Sequence, residues 1–170
     1  MIKMINLFES ERLYFREFIP EDAEKLFALN SDPEVIQYTG DPPFESVESA
    51  KDFILNYDHY QRHGFGRWAV VLKENNEFIG WCGLKYNEEE EIDIGFRFFK
   101  KYWGMGYATE SAAATLHFGI KTLKLKRIVG RAAHENKASL KVLEKVGFSY
   151  LDRRTCHGID MAHYYEFTVE

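Results

Sequence analysis

The sequence predicts a mixed α/β domain organised around a strand, a glycine turn and a helix, and three observations carry that expectation. Residues 91–99 alternate, with Ile92, Ile94, Phe96 and Phe98 on one face and Asp93, Gly95, Arg97 and Phe99 on the other, which is the period of a strand. Residues 108–123 repeat apolar side chains at helical spacing, in Ala108, Ala112, Leu116, Gly119, Ile120 and Leu123. Gly104 and Gly106 stand between them. Such a turn presents backbone N–H groups at a helix N-terminus, where the dipole favours negative charge, and glycine lets a ligand approach the backbone. A pyrophosphate suits this geometry; a plain tight connection is the alternative. There is no GKS or GKT for a Walker P-loop, and no third glycine at the dinucleotide-fold spacing.

The remaining elements follow in order. Leu13, Phe15 and Phe18 begin a first strand. Pro20 opens a helix, Glu21 and Asp22 suit its positive end, and Ser31, Asp32 and Pro33 end it before a short helical turn at residues 34–37. Residues 39–43, with two prolines, form a loop. Ser46 caps a second helix with Ala50, Phe53, Ile54 and Tyr57 on its buried face, ending near His63 and Gly64. Strands are expected over residues 67–72 and 77–86, joined by a turn at 74–76. Glu88, Glu89, Glu90 and Glu91 read as a solvated connection or as an acidic rim that attracts an amine. A basic connection at residues 121–127 leads to a strand at 127–133. Asn136 caps a helix with Val142, Leu143 and Val146 inside; Gly147 is its left-handed stop, and Phe148 folds back onto it. The end of the chain reads as a β-hairpin around His157 and Gly158, with Met161, His163, Tyr165, Phe167 and Val169 alternating in its second strand.

Composition bounds the function. The chain has 170 residues, 45% hydrophobic and 16% aromatic, which suits one globular domain over residues 1–170. Lys plus Arg is 22 and Asp plus Glu is 27, a formal charge of −5. That balance argues against general nucleic-acid binding and is compatible with a cationic substrate. Cys82 and Cys156 lack metal-ligand spacing, so buried thiols in a reducing compartment are expected and no metal site is. Residues 1–12 show no secretory signal, and no stretch approaches the ~20 apolar residues of a membrane span. A cytoplasmic location without a membrane partner is the expectation.

The element order resembles the GNAT N-acetyltransferase superfamily over nearly the whole chain. Trp103-Gly104-Met105-Gly106-Tyr107-Ala108 is similar to the family's R/Q-x-x-G-x-G/A signature for the pyrophosphate of coenzyme A, with Trp103 where Arg or Gln is usual. The longer string YWGMGYATE looks like the ribosomal-protein N-terminal acetyltransferase branch, the RimJ/RimL type. Asn136-Lys137-Ala138-Ser139, running on to Lys145-Val146-Gly147-Phe148, is similar to the family's N-x-x-A/S…K-x-G-F segment. The resemblance implies a mixed, mostly antiparallel sheet of six to seven strands with helices on both faces. It also implies a splayed parallel pair, here 91–99 and 127–133, that takes the pantetheine arm of acetyl-CoA. Phe96, Arg97 and Phe98 then fall on the cofactor strand. Phe96 directs a backbone N–H at the acetyl carbonyl, Phe98 is a backbone partner of the pantetheine amides, and Asn136 bonds the cofactor arm.

The chemistry implied is direct attack of a neutral amine on a thioester. Charge growing on the carbonyl oxygen needs a fixed donor, the amine must lose a proton, and the leaving thiolate gains from a proton donor. Many family members carry Tyr seven residues after the motif Asn; here Leu143 stands there, and Ser139 is the nearest hydroxyl. Ser139 is thus the candidate general acid, or simply a helix-cap residue. His134, Glu135, Glu17 and Glu91 are candidate bases, with His134 placed first. The expected acceptor is a protein or peptide N-terminal amine. A small amine (polyamine, amino-sugar antibiotic or amino acid) is the alternative, and a non-catalytic acyl-CoA-binding module the third reading. The loop at 38–44 and the helix at 46–63 would decide the acceptor. A monomer or homodimer is expected.

Overall fold

The computed structural model describes residues 5–170, so residues 1–4, part of the expected domain and of the segment searched for a leader, lie outside the described residues. Its centre is one eight-stranded sheet in the order β1-β2-β3-β4-β5-β6-β8-β7. The strands are β1 (Phe8–Glu9), β2 (Leu13–Arg16), β3 (Arg67–Leu72), β4 (Phe78–Tyr86), β5 (Ile92–Phe98), β6 (Arg127–Ala132), β7 (Ser149–Cys156) and β8 (Ile159–Thr168). Every neighbouring pair is antiparallel except β5 and β6. The helices are α1 (Ala23–Ser31), α2 (Pro33–Ile36), α3 (Val47–Leu55), α4 (His59–His63), α5 (Tyr107–Lys121) and α6 (Lys137–Lys145).

Strand alternation sends the apolar side chains to two cores. On one face Trp68, Val70, Leu84, Ile94 and Ile128 pack with Ala112 and Leu116 of α5 and Leu140 and Leu143 of α6. On the other, Tyr14, Ala69 and Val71 pack with Leu26 and Leu29 of α1, Val35 of α2, and Ala50 and Ile54 of α3. This second cover contains no residue of β5 or β6, so that part of the sheet is free to carry polar groups.

Several expectations need correction. The sheet has eight strands where six to seven were expected, because Phe8 stacks on Phe15 and on Phe118, each at 4.4 Å, and draws a two-residue strand onto β2. So short a strand shows no period in sequence. The helix expected over 46–63 is two helices, with Asn56 and Asp58 near φ −96° and −97° and ψ 3° between them. The break frees two tyrosines to anchor the start of β3: the Tyr57 hydroxyl accepts from the Arg67 N–H at 2.9 Å, and the Tyr60 hydroxyl donates to the Arg67 carbonyl while accepting from the Phe18 N–H at 3.3 Å. Phe53, expected inside, is 43% exposed. The last strand is not one-faced either: Met161 is exposed, while the adjacent Tyr164 and Tyr165 are both buried where the β7–β8 register shifts.

Capping matches the sequence elsewhere. Ser46 and Ser49 cap α3 reciprocally, and Asn136 Oδ1 accepts from the Ser139 N–H at 3.3 Å at the start of α6. Gly147, at φ +101°, stops α6, and Phe148 returns to donate to the Leu143 carbonyl at 3.0 Å. Cys82 and Cys156 are free and buried; burial pushes the Cys82 thiol up to about 12, which leaves it inert.

Candidate active site

The two parallel strands part early. β5 and β6 are paired at Asp93↔Val129 and Ile94↔Gly130. Beyond Ile94, β5 continues against β4 alone, through Gly83↔Gly95, Cys82↔Phe96, Trp81↔Arg97 and Gly80↔Phe98. One backbone edge of residues 95–98 therefore faces a gap with no strand partner, and unpaired strand groups form a template for an extended ligand. Asn136, Ser139 and Leu143 of the α6 segment line the same gap with Ile94 and Phe96.

The glycine turn follows directly. Trp103 donates its indole N–H to the Phe98 carbonyl at 2.9 Å and so ties the turn to the end of β5. Gly104 and Gly106 have φ +75° and +82°, values that side-chain-bearing residues rarely adopt. Gly106 is the N-cap residue of α5, and no side chain caps that helix, which leaves its first N–H groups to a ligand. Tyr107 and Ala108 open the helix, half-buried. The sequence reading missed Arg12, whose guanidinium stacks 4.2 Å over the Tyr107 ring and donates to the Met105 carbonyl at 2.9 Å and to Glu110 at 2.7 Å. A cation is thus present beside the turn although Trp103 carries none. Backbone donors, a helix N-terminus and a guanidinium together suit a pyrophosphate.

Ser139 is the third residue of α6, half-buried, and its hydroxyl makes no hydrogen bond within the described residues. His134 is not brought to the cleft. It is exposed, with Nδ1 2.9 Å from His163 Nε2 and Nε2 3.2 Å from Lys137 Nζ, and it is absent from the cleft lining. Glu135 is also exposed, Glu91 is bound to Arg127, and Glu17 is raised by burial but does not line the cleft.

The gap opens through to the other sheet face as a cleft of about 500 Å³. Its wall there is an ionic network between strands. Asp93, 2% exposed, accepts from Arg67 at 2.7 Å and from Arg131 at 3.0 Å. Arg67 lies directly over Gly95, where an added Cβ would stand 2.6 Å from its guanidinium. Arg131 also grips both oxygens of Glu88, at 2.6 and 2.9 Å, and these bonds push the Glu88 carboxyl down to about 2. Glu89 pairs with Arg154 and Glu91 with Arg127, so the acidic run is no free rim: Glu88, Glu89 and Glu90 stay exposed, as a solvated connection would be, while three of the four carboxylates are tied to arginines of β6 and β7. The Arg97 side chain is spent on this face too, on Asn30 and Asp41, each at 2.8 Å, and its backbone carbonyl lies against Gly80 of β4, so Arg97, expected on the cofactor edge, is not brought to the gap. Asp41 in turn accepts from His157 at 2.6 Å, which closes the loop at 38–44 against the tip of the β7–β8 hairpin. Burial works against that carboxylate, but Arg97 and His157 together hold its pKa below the usual range. Tyr38, Phe44, Tyr57 and Trp81 complete the wall.

A parallel pair that parts beside a phosphate-type turn, with the gap continuing to the far face of the sheet, agrees with the acyltransferase class of fold. The chain belongs to the GNAT acetyltransferase family: residues 12–149 match its acetyltransferase (GNAT) domain. An uncharacterized N-acetyltransferase, p20 of Bacillus licheniformis, is 34% identical over 142 residues, covering 82% of this chain and 80% of that protein. The structure of a GNAT-family acetyltransferase from Bacillus anthracis is 32% identical, with TM-score 0.78 over 94% of this chain and 96% of that one. RimL, described as a ribosomal L7/L12 α-N-protein acetyltransferase in complex with coenzyme A, shares the fold at 16% identity, with TM-score 0.82 over 97% and 98% of the two chains. The chain is an N-acetyltransferase, and no helix among the described residues is long and apolar enough to cross a membrane.

Proposed function

We propose that the chain transfers acetyl from acetyl-CoA to the amine of a peptide or protein N-terminus. The carrying observation is the single cleft that runs from the unpaired edge of β5 to an aromatic mouth on the opposite sheet face. RimL, with the same fold, is named for α-N-acetylation of a protein, which supports this acceptor class.

Acetyl-CoA, when bound, supplies the activated thioester. The residues fit it: the Gly104–Gly106 turn with Arg12 for the pyrophosphate, and the open edge of residues 95–98 with Asn136 for the extended arm. Tyr107 and Ala108 contribute the first helical N–H groups, and Met105 shapes the turn. Phe96 directs its N–H at the carbonyl oxygen, where a preorganised donor in a water-poor site stabilises growing negative charge. Ser139 gives its proton to the departing sulfur, since its hydroxyl is otherwise unengaged. We assign proton acceptance to His157 in place of His134. His157 lines the cleft and, with Nε2 on Asp41, keeps Nδ1 as an acceptor for the amine directly or through one water. Holding both reactants in one cleft supplies much of the remaining acceleration.

The test is incubation with acetyl-CoA and a peptide library, reading thiol release and product masses. Acetylation at peptide α-amines is expected. Acetylation confined to polyamines or amino sugars would overturn the acceptor class.

A further inference from the structure

We propose that the acceptor carries a carboxylate one residue beyond its reacting amine and that the ammonium of Lys85 receives it. This rests on the acetyl-transfer reading above and names the class of N-terminus that the cleft takes.

The cleft has the opposite sign from the chain. The whole sequence carries −5, yet Arg67, Lys85, Arg97 and Arg131 line the cleft; Glu88 holds Arg131 from outside the lining, and within it stand two carboxylates, Asp41 and Asp93. Those two are fully engaged. Asp93 gives one oxygen to Arg67 and the other to Arg131, and Asp41 gives one to Arg97 and the other to His157. Lys85 is left over. It is half-buried on β4, directly across from Asp93, and its ammonium has no hydrogen-bond or ion-pair partner among the described residues. Burial lowers its pKa most and Arg67 next; Asp93 and Asp41 oppose this, and Arg131 adds a smaller lowering. A half-buried, unpaired ammonium in the field of two guanidiniums whose own carboxylates are already engaged is a site short of one anion.

That shortage has two consequences for an incoming amine. A carboxylate on the same molecule completes the network and fixes its orientation. The excess positive charge also lowers the pKa of the acceptor's own ammonium, favouring the neutral nucleophile that the chemistry needs. A polyamine or amino sugar brings further ammonium groups and no anion, so the same charge repels it. The offset selects the position of the carboxylate. Phe96, the proposed carbonyl donor, lies three residues along β5 from the cross-strand partner of Lys85, roughly 10 Å at about 3.4 Å per residue. An acidic side chain on the second residue spans that offset better than an α-carboxylate on the reacting carbon.

The test uses amidated peptides Ala-Asp against Ala-Asn and Ala-Glu against Ala-Gln, with Ala-Lys, alanine, alaninamide and spermidine as further arms. Wild type should favour each acidic peptide over its amide isostere by about tenfold or more in kcat/KM, mostly through KM. Lys85→Gln should reduce that ratio below about twofold, Lys85→Arg should keep it, and Lys85→Glu should move the preference to Ala-Lys. Equal turnover of the isosteric pair by wild type overturns the inference with acetyl transfer intact, and so does a preference that survives in Lys85→Gln. A preference for alanine over alaninamide without one for Ala-Asp overturns the second-residue carboxylate. Thiol release with no amine of the panel, while calorimetry still shows acetyl-CoA bound, overturns the transfer reading and this inference with it.

Discussion

Replacing Asp93 by Asn tests whether the ionic wall of the cleft is structural. The change is isosteric, so it opens no cavity; it removes one charge from a side chain that is 2% exposed and bonded to guanidiniums at 2.7 and 3.0 Å. Those partners are themselves 12% and 10% exposed in their side chains, so water replaces little of the lost attraction. Breaking a buried pair by removing one partner costs about 3–5 kcal/mol. Here Arg131 keeps both oxygens of Glu88, and Arg67 keeps the carbonyls of Gly83 and Asp93, which places the cost at the low end, about 3 kcal/mol. In a domain of this size about 1 kcal/mol moves Tm by about 2–4 °C, so a fall of about 6–12 °C is expected. Calorimetry and urea unfolding at low and high salt read it. A buried pair is weakly screened, so the deficit should survive high salt. A fall under about 2 °C, or a deficit that vanishes with added salt, refutes the assignment of Asp93 as a buried counter-charge.

Other expectations concern the cofactor turn, the proton donor and pH. Gly106→Val places a branched side chain at φ +82° and against the Arg12 guanidinium, so acetyl-CoA affinity should fall at least about tenfold; unchanged affinity by titration calorimetry in a folded variant removes the cofactor assignment. Ser139→Ala should lower kcat more than it raises either KM, by about tenfold to a hundredfold, the low end of general-acid catalysis for so good a leaving group. A kcat within about twofold of wild type returns Ser139 to a capping role. Glu88 has its pKa lowered by Arg131 to about 2, so its contribution is present above its ordinary 4.5 and is lost as pH falls from there toward 2. Glu88→Gln should flatten the stability profile in that window by about 1 kcal/mol or less, given a side chain 45% exposed; a profile parallel to wild type would show the pair to be idle.

Most of the fold was legible because its elements are periodic or punctuated. The alternation in β5, the helical stripe of α5, and the punctuation at Ser46, Asn136 and Gly147 are local signals, and each was read correctly. The faces of β5 were read as well, with Asp93, Gly95 and Arg97 opposite the apolar stripe. The partners of Asp93 and Arg97 were not legible. The bond from Arg131 to Asp93 spans 38 residues and that from His157 to Asp41 spans 116, so no local pattern announces them. A weaker signal was present: Arg67, Lys85, Asp93 and Arg131 are charges inside otherwise apolar strands, and a charge there is either paired or functional. The break between α3 and α4 was missed for a similar reason, because tyrosine hydroxyls bonded to the backbone of Arg67 in β3 outweigh the local helical spacing.

The one departure from the family pattern in α6, Leu143, has a packing reason. Leu143 packs into the space that Gly130 leaves open; a Cβ added at Gly130 would lie 2.6 Å from Leu143 Cδ2. Position 143 is therefore committed to filling the floor where β6 leaves β5, and an apolar side chain there keeps water from the gap. The proposed hydroxyl donor comes from the same helix face. Ser139 lies one turn earlier, the i, i+4 neighbour of Leu143, and lines the same cleft. That turn is also the N-terminal one, where the helix dipole favours a thiolate and Asn136 already fixes the backbone. The proposed donor at position 139 would thus gain a favourable field for the leaving sulfur while the floor stays closed.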